Sequence, residues 1–174
     1  NGMIHLITTM NNPCLHFEFN EAWILSVSDP HPGAGNAEWM RSRATRIVSV
    51  SPATAKFPDG AVRASWSGGV ADDGRYLLDG EERWFYPNGA KQYEVTYRLG
   101  RKAGAEMLWQ SDGTPVWQWE HRPDGTGVWT QFWENGARKS VSTWLNHQAH
   151  GAARCWNRAG QEISHALFEH GQRR

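Results

Sequence analysis

Along the last hundred positions of the chain, short runs of alternating apolar and polar residues are separated by turn residues. The runs 91–98, 115–121 and 138–145 are examples. Alternation with a period of two is the pattern of β-strands that bury one face. Each run follows a turn dipeptide that tolerates positive φ, namely Asn88-Gly89, Asp112-Gly113 or Asn135-Gly136. The pattern therefore predicts a series of β-hairpins.

Two glycine series give this pattern a period of 23 or 24 residues. The first series is Gly80, Gly104, Gly127 and Gly151, and the second, nine residues later in each unit, is Gly89, Gly113, Gly136 and Gly160. Such self-similarity is typical of repeat proteins, in which each unit buries its apolar face against its neighbours. The predicted fold class is all-β, an elongated single-layer sheet of tandem β-hairpin repeats of 23–24 residues. Phe57-Pro58-Asp59-Gly60 indicates an earlier, degenerate unit.

Aromatic residues recur at two fixed places in the unit, and both are expected in the core. Five residues after the first glycine stand Phe85, Trp109, Phe132 and Trp156. Seventeen residues after it stand Tyr97, His121, Trp144 and Phe168. Because burial of large rings dominates core energetics, we expect the first set to form one buried, stacked row.

The units resemble the MORN family, in particular its bacterial variant. That variant repeats an aromatic pair, one residue, Asn-Gly, a strand and then Gly-x-x-x-Gly. Here the pattern is carried by Trp84-Phe85-Tyr86-Pro87-Asn88-Gly89-Ala90-Lys91 and by Phe132-Trp133-Glu134-Asn135-Gly136-Ala137-Arg138-Lys139. The resemblance covers about residues 57–174, and the third unit departs from it at 122–127. It implies a twisted sheet of hairpins used for binding or assembly, not for chemistry.

The chain divides into three predicted segments. Residues 1–27 include Asn1-Gly2-Met3-Ile4-His5-Leu6 and His16-Phe17-Glu18-Phe19-Asn20-Glu21-Ala22-Trp23-Ile24, which resemble the closing strands of a sialidase-like, glycan-active β-propeller. This resemblance implies a fragment of a secreted or extracytoplasmic protein, with a parent glycoside hydrolase or polysaccharide lyase. Residues 28–46 are turn-rich and read as a linker with a short helix over 37–46. Residues 47–174 form the predicted repeat domain.

Composition narrows the set of partners. The chain has 18 basic and 18 acidic residues, which argues against nucleic acid, since nucleic-acid binding needs a clustered basic excess. No apolar run is long enough to span a membrane. Cys14 and Cys155 are distant in sequence, and the sequence neither predicts nor excludes a disulfide bond between them.

Catalytic and metal-binding patterns are weak. Neither a nucleophile elbow nor a phosphate loop occurs, so we expect no catalytic residue and no cofactor in this chain. His147 and His150, followed by His165 and His170, are candidate ligands of a zinc or nickel ion, with Cys155 as the one further ligand nearby. The set lacks companions at ligand spacing, and we expect no metal.

Aromatic and amide side chains that do not recur in every unit define a candidate ligand site. They are Trp84, Tyr86, Gln110, Trp129, Gln131 and Trp133, assigned to the strand face opposite the expected core row. Flat rings with amide donors and acceptors suit a sugar ring. The sequence thus predicts a non-catalytic accessory module that binds polysaccharide beside a glycan-active enzyme. The alternative is a structural or protein–protein module, in which a partner protein covers this face or the sheet edges self-associate.

Overall fold

The computed structural model describes residues 46–174, and they form one open antiparallel sheet without a helix. The strands are β1 (Ser51–Lys56), β2 (Val62–Val70), β3 (Tyr76–Leu78), β4 (Gly80–Phe85), β5 (Lys91–Arg98), β6 (Arg101–Trp109), β7 (Pro115–His121), β8 (Thr126–Phe132), β9 (Arg138–Leu145), β10 (Gln148–Trp156), β11 (Glu162–Glu169) and β12 (Gln172–Arg173). The all-β, single-layer prediction is confirmed. The predicted propeller-like strands, and the linker with its helix up to residue 45, lie outside the described residues.

Strand order follows the chain, so each hairpin packs beside the next. The sheet runs from β1 to β12 in sequence, except that β3 lies off this path and pairs with β2. The four predicted units are the hairpins β4–β5, β6–β7, β8–β9 and β10–β11. The degenerate unit is also present, as the hairpin β1–β2.

The hairpin turns share one geometry and line one rim of the sheet, which we call the turn rim. It comprises residues 57–61, 86–90, 110–114, 133–137 and 157–161. In the second of these, Tyr86 N donates to Ala90 O at 2.8 Å and Gly89 N donates to Tyr86 O at 2.9 Å. Asn88 Oδ1 accepts from Ala90 N at 3.0 Å, and Gly89 has φ of 80°. The predicted turns are therefore confirmed, with the glycine in the left-handed region where L side chains are strained.

A β-bulge follows the same position in every hairpin and decides which face each aromatic side chain occupies. Trp84 lies opposite Tyr93, but Phe85 lies opposite Lys91, so Gln92 has no counterpart. Equivalent register shifts precede Lys56, Trp109, Phe132 and Trp156. An extra residue on the returning strand reverses which of the later side chains of that strand lie on each face of the sheet. Tyr97 therefore shares a face with Trp84 and not with Phe85.

The core occupies one face of the sheet, and the expected core row is wrong. The buried cluster is Leu78, Tyr93, Val95, Tyr97, Trp117, Trp129 and Trp144, with Trp66, Trp84 and Trp119 packed against it. Of the second predicted set, Tyr97, Trp144 and Phe168 are buried and His121 is partly buried. Phe85, Trp109, Phe132 and Trp156 are only half-buried. The bulge places them at the strand ends beside the turn rim instead of in the core.

One cross-strand row runs through the core face from end to end, and we call it the central row. Its directly paired members are Ala55, Ala64, Trp84, Tyr93, Leu108, Trp117, Gln131, Ser140, Cys155 and Ser164. Every member stands at the equivalent place in its hairpin, next to the bulge. The large rings lie in the middle of the row, while its two ends carry small side chains.

The rim opposite the turns has two kinds of connection. Leu99-Gly100, Asn146-His147 and His170-Gly171 are tight loops in which all six residues have positive φ. Residues 122–126 form a longer turn, in which Gly125 N donates to Arg122 O. Register irregularities follow the first two tight loops, near Gly104 and near Gly151.

Because Trp117 lies in the core and Trp109 does not, we expect truncation of Trp117 to destabilise the sheet more than truncation of Trp109. Trp117 is 6% exposed and stacks on Trp129 with centroids 4.9 Å apart. We expect Trp117→Ala to lower the free energy of unfolding by about 3–5 kcal/mol, as other large aromatic truncations do. Trp109→Ala, the matched control, should cost about half as much or less, because less area leaves water on folding. Urea unfolding checks the order, and a larger loss for Trp109→Ala would contradict the face assignment.

Candidate functional site

The six predicted ligand residues do not share one surface. Trp84, Trp129 and Gln131 lie on the core face, where Trp129 pairs with Trp119 and Gln131 with Trp117. Tyr86, Gln110 and Trp133 lie at the turn rim, each as the first residue of a turn. The assignment of all six to the face opposite the core is thus wrong, and the bulge is again the cause. Ligand binding by these residues stays a prediction.

The core-face members hold the aromatic cluster together. Trp129 is 7% exposed and lies between Trp117 and Trp119, with each ring centroid 4.9 Å away. The indole N–H of Trp84 donates to Glu82 Oε1 at 2.7 Å, and its ring lies 5.3 Å from that of Tyr93. Gln131 Oε1 accepts from Ser140 Oγ at 2.9 Å. These contacts indicate packing roles.

Two rim members bridge successive units. Tyr86 Oη donates to the carbonyl of Trp109 at 2.8 Å, and Trp133 Nε1 donates to the carbonyl of Trp156 at 3.0 Å. Burial, and then the charge of Asp112, raises the pKa of Tyr86, so its hydroxyl stays a donor at neutral pH. Gln110 is exposed. Tyr86 and Trp133 therefore connect hairpins, and Gln110 is the most accessible of the six.

Cations lie over aromatic rings at the turn rim and at the strand ends beside it. Lys139 Nζ lies 4.8 Å and Arg158 Cζ 4.6 Å from the ring centroid of Trp133. In the same way Lys91 lies over Trp109 at 5.1 Å, and Arg138 over Trp156 at 5.3 Å. Such contacts are worth about 0.5–1 kcal/mol each at exposed sites. They also cover the ring faces on which a neutral sugar would stack.

A buried carboxylate forms the densest polar cluster of the described residues, and the sequence did not reveal it. Glu106 is 6% exposed and accepts from Tyr93 Oη at 2.5 Å and from Lys102 Nζ at 2.5 Å. His121 Nε2 lies 2.6 Å from its other oxygen, and the ring of Trp119 stacks on that of His121 at 5.6 Å. The partners come from three strands at unequal spacings. No sequence motif joins them.

The electrostatics of this cluster keep Glu106 charged. Burial alone would raise its pKa, but the charge of Lys102 and the hydrogen bonds from His121, Lys102 and Tyr93 outweigh burial and lower the pKa to about 2. Burial, and then Glu106, raises the pKa of Tyr93 well above its usual value. A carboxylate held by three internal donors stabilises the fold.

The candidate histidine ligands are dispersed. The rings of His150 and His170 meet edge to face, with centroids 5.4 Å apart. His165 is exposed, whereas Cys155 is 2% exposed in the central row. Across residues 46–174, no three His, Cys, Asp or Glu side chains form a group that could hold a metal ion. Cys14 lies outside this range, so its bond to Cys155 stays untested.

Comparison with known proteins supports the MORN part of the resemblance. A family model described as a MORN repeat variant matches residues 78–98, the first complete hairpin with the residues just before it. The chain therefore contains a MORN-type repeat and is a repeat module. Comparison with curated proteins gave no match. The propeller resemblance of residues 1–27 finds no support in these comparisons.

A solved structure, described as the crystal structure of a GtfA/B complex bound to UDP and GlcNAc, resembles the chain weakly. The TM-score is 0.26 and the identity 13%, over 73% of this chain and 25% of that chain. This chain thus spans about a quarter of that protein. No helix in the described part of the chain has the length and apolar character needed to cross a membrane.

The Glu106 cluster predicts a specific acid sensitivity. The folded pKa lies below the ordinary value of 4.5, so the stabilisation is complete above pH 5 and is lost as pH falls toward 2. We expect a loss of about 3 kcal/mol over that range, at 1.36 kcal/mol per pKa unit. The pH dependence of urea unfolding measures it.

Glu106→Gln should flatten the acid limb of that profile and cost about 3–5 kcal/mol at neutral pH, as does the breaking of a buried pair. Glu94→Gln is the matched control, because Glu94 pairs with Arg83 and Lys91 where it is partly exposed to water. It should change stability by less than about 1 kcal/mol. Equal profiles for the two variants would refute the structural role of the cluster.

Proposed function

We propose that this chain is a non-catalytic interaction module, a rigid repeat sheet that makes protein–protein contacts through its two ends. The observation that carries the proposal is where large apolar side chains are exposed. In the part of the chain that the structure describes they are Val48, Val50, Val62, Val70 and Tyr76 near β1–β3, and Ile163 and Leu167 on β11. The hairpins between these ends expose none. Exposed apolar side chains that are confined to two regions of a surface mark those regions as contact surfaces.

The logic of repeat proteins supports this proposal. Each internal hairpin is covered on both sides by its neighbours, whereas an end hairpin needs a polar cap or a partner. Among the described residues, the first and last hairpins expose apolar side chains. The densest polar cluster, around Glu106, is satisfied by its own strands, which leaves it a structural role.

Binding of an acidic polysaccharide at the turn rim is the second candidate. The observation that favours it is Trp133, a half-buried ring with Lys139 and Arg158 over it. Arg158 pairs with Glu134 at 3.4 Å, but both side chains are largely exposed, so a carboxylate or sulfate on a sugar can compete for the cation. Attachment to a glycan-active enzyme and a secreted location belong to this candidate and stay predictions.

The first candidate predicts that protein contacts depend on the end residues. We expect the immobilised chain to retain specific proteins, identified by mass spectrometry and re-tested in purified form, with copies of the chain itself counted as partners. Ile163→Ser with Leu167→Ser should abolish that retention. The control is Val128→Ser with Val141→Ser, two residues that are half-buried within the sheet. Retention that survives the end substitutions but not the control pair would contradict the proposal.

The second candidate predicts retardation in gels that contain an acidic polysaccharide. Trp133→Ala and Arg158→Ala should each weaken retardation at least about threefold, since each removes a contact worth about 0.5–1 kcal/mol or more. A neutral polysaccharide is the matched control ligand, and Arg98→Ala, which lies away from the turn rim, is the control variant. Unchanged migration of the parent protein in every gel would eliminate this candidate.

A further inference from the structure

Charge is distributed unevenly along the sheet, although the chain as a whole is balanced. Residues 133–161, which reach from one turn of the rim to the next, contain four Lys or Arg and one Asp or Glu, whereas the stretch of equal length before it, residues 104–132, contains one and four. The four cations, which we call the basic patch, are Arg138, Lys139, Arg154 and Arg158. β9 and β10 carry three of them and are each paired on both sides, so the patch lies within the sheet and not at its edge.

Two indole rings hold three of these cations in place. Lys139 Nζ and Arg158 Cζ lie 4.8 and 4.6 Å from the ring centroid of Trp133, and Arg138 Cζ lies 5.3 Å from that of Trp156. Trp133 Nε1 donates to the carbonyl of Trp156 at 3.0 Å, which ties the two ring-bearing residues together. Because cations that are already held lose little freedom when an anion binds, this arrangement favours anion binding.

The cations around Trp133 do not recur in the repeat. Counted from the first glycine of each unit, the equivalent positions hold uncharged or acidic residues, namely Gln92, Val116 and Ile163 for Lys139, and Pro87, Ser111 and Glu134 for Arg158. A side chain that joins one hairpin to the next would be needed in every unit. The patch therefore indicates a task that is local to the third and fourth hairpins.

The acids that lie at the patch are weakly held. Glu134 Oε2 lies 3.4 Å from Arg158 Nη2, and Glu162 Oε2 lies 3.9 Å from Arg154 Nη1, with all four side chains at least 40% exposed. Exposed ion pairs of this kind contribute little free energy. A carboxylate from another molecule can therefore replace either of them.

Arg83 occupies the place of Arg154 in the first hairpin, and there the cation is already satisfied. Its guanidinium lies 2.8 Å from Glu94 Oε2 and 2.6 Å from Glu81 Oε2. Among the described residues, Arg154 has the longer contact with Glu162, and its side chain is 59% exposed against 39% for Arg83. The repeat thus offers a matched pair of arginines, one committed to internal acids and one available.

An exposed aliphatic side chain borders the patch. Ile163 is 58% exposed and follows Glu162, which lies opposite Trp156. Ser164 lies opposite Cys155 on the core face, so Ile163 projects from the other face, and the outer edge of β11 is not involved. An acidic polysaccharide has no aliphatic side chain to cover Ile163, whereas a peptide supplies both carboxylates and aliphatic groups. The patch therefore fits a protein segment better than a sugar polymer.

We propose that the basic patch binds an acidic segment of a partner protein, in which carboxylates take the places of Glu134 and Glu162 and an apolar side chain covers Ile163. This inference rests on the proposed interaction function and specifies the kind of partner. Attraction between opposite charges speeds association and weakens as salt is added. Residues 104–132, with their excess of acids, repel the same segment, which confines it to the patch.

Fluorescence anisotropy with labelled peptides tests the proposal. A Glu-rich peptide that includes leucine should bind the full chain and dissociate as salt is added, while the same peptide with Gln in place of Glu should not bind. Arg154→Glu should weaken binding at least about fivefold, because a like charge then faces the peptide. Arg83→Glu, the matched control, changes the net charge equally and should alter binding less than about twofold. Thermal unfolding confirms that both variants are folded.

Ile163→Ser tests the apolar contact separately. It should weaken binding of the leucine-containing peptide at least about threefold, because less apolar area leaves water in the complex. Binding of a Glu peptide without leucine should stay unchanged. A loss that is equal for the two peptides would overturn the apolar part of the proposed contact.

The outcomes separate this inference from the proposed function. A parent protein that does not bind the acidic peptide overturns the inference, and so does an equal loss for Arg83→Glu and Arg154→Glu. Binding of polygalacturonate or heparin without binding of the peptide overturns it in favour of the polysaccharide candidate. Retention of purified partner proteins that depends on Ile163 and Leu167 but not on Arg154 overturns this inference alone and leaves the proposed function standing.

Discussion

Within residues 46–174 the sheet has one layer and no second layer covers its apolar face, and this constraint shapes the rest of the described structure. The rings of the core must cover one another along the sheet. Trp117, Trp119, Trp129 and Trp144 do so through stacked, tilted and edge contacts at centroid distances of 4.9–5.6 Å. Because each ring depends on the next strand, the middle hairpins are well covered. The cover thins toward both ends, where Ala55 and Ser164 close the central row.

Local signals in the sequence predicted the hairpins and their turns. Asn88-Gly89 and its equivalents act within four residues, through positive φ and an Asn or Asp oxygen that accepts from the backbone, so no tertiary context is needed. The period of the glycines then predicted the single sheet. Both inferences hold because one Asn-Gly or Asp-Gly dipeptide can occur in many kinds of turn, whereas its recurrence at a fixed interval indicates tandem hairpins.

The faces could not be predicted in the same way. Counting by twos from Gly80 assumes that alternation continues through the hairpin, and the unmatched Gln92 breaks it. One such residue in each hairpin separates the face of Phe85 and its equivalents from the face of Tyr97 and its equivalents, so counting by twos assigned Phe85 to the core and Trp129 to the opposite face. The Glu106 cluster was not predicted from the sequence, for a different reason. Its partners meet through strand pairing, at separations of 4, 13 and 15 residues that form no motif.

The tight loops Leu99-Gly100 and Asn146-His147 each lead into a strand whose register is irregular, and this likeness has a consequence for how such a chain can change its length. Loss of the hairpin between Gly104 and Gly127 would join Leu99-Gly100 to β8, whose pairing with β7 is regular. Loss of the 47 residues from Gly104 to Gly151 would instead join it to β10, which has the same kind of irregularity. Deletion of two hairpins together would therefore disturb strand pairing less than deletion of one.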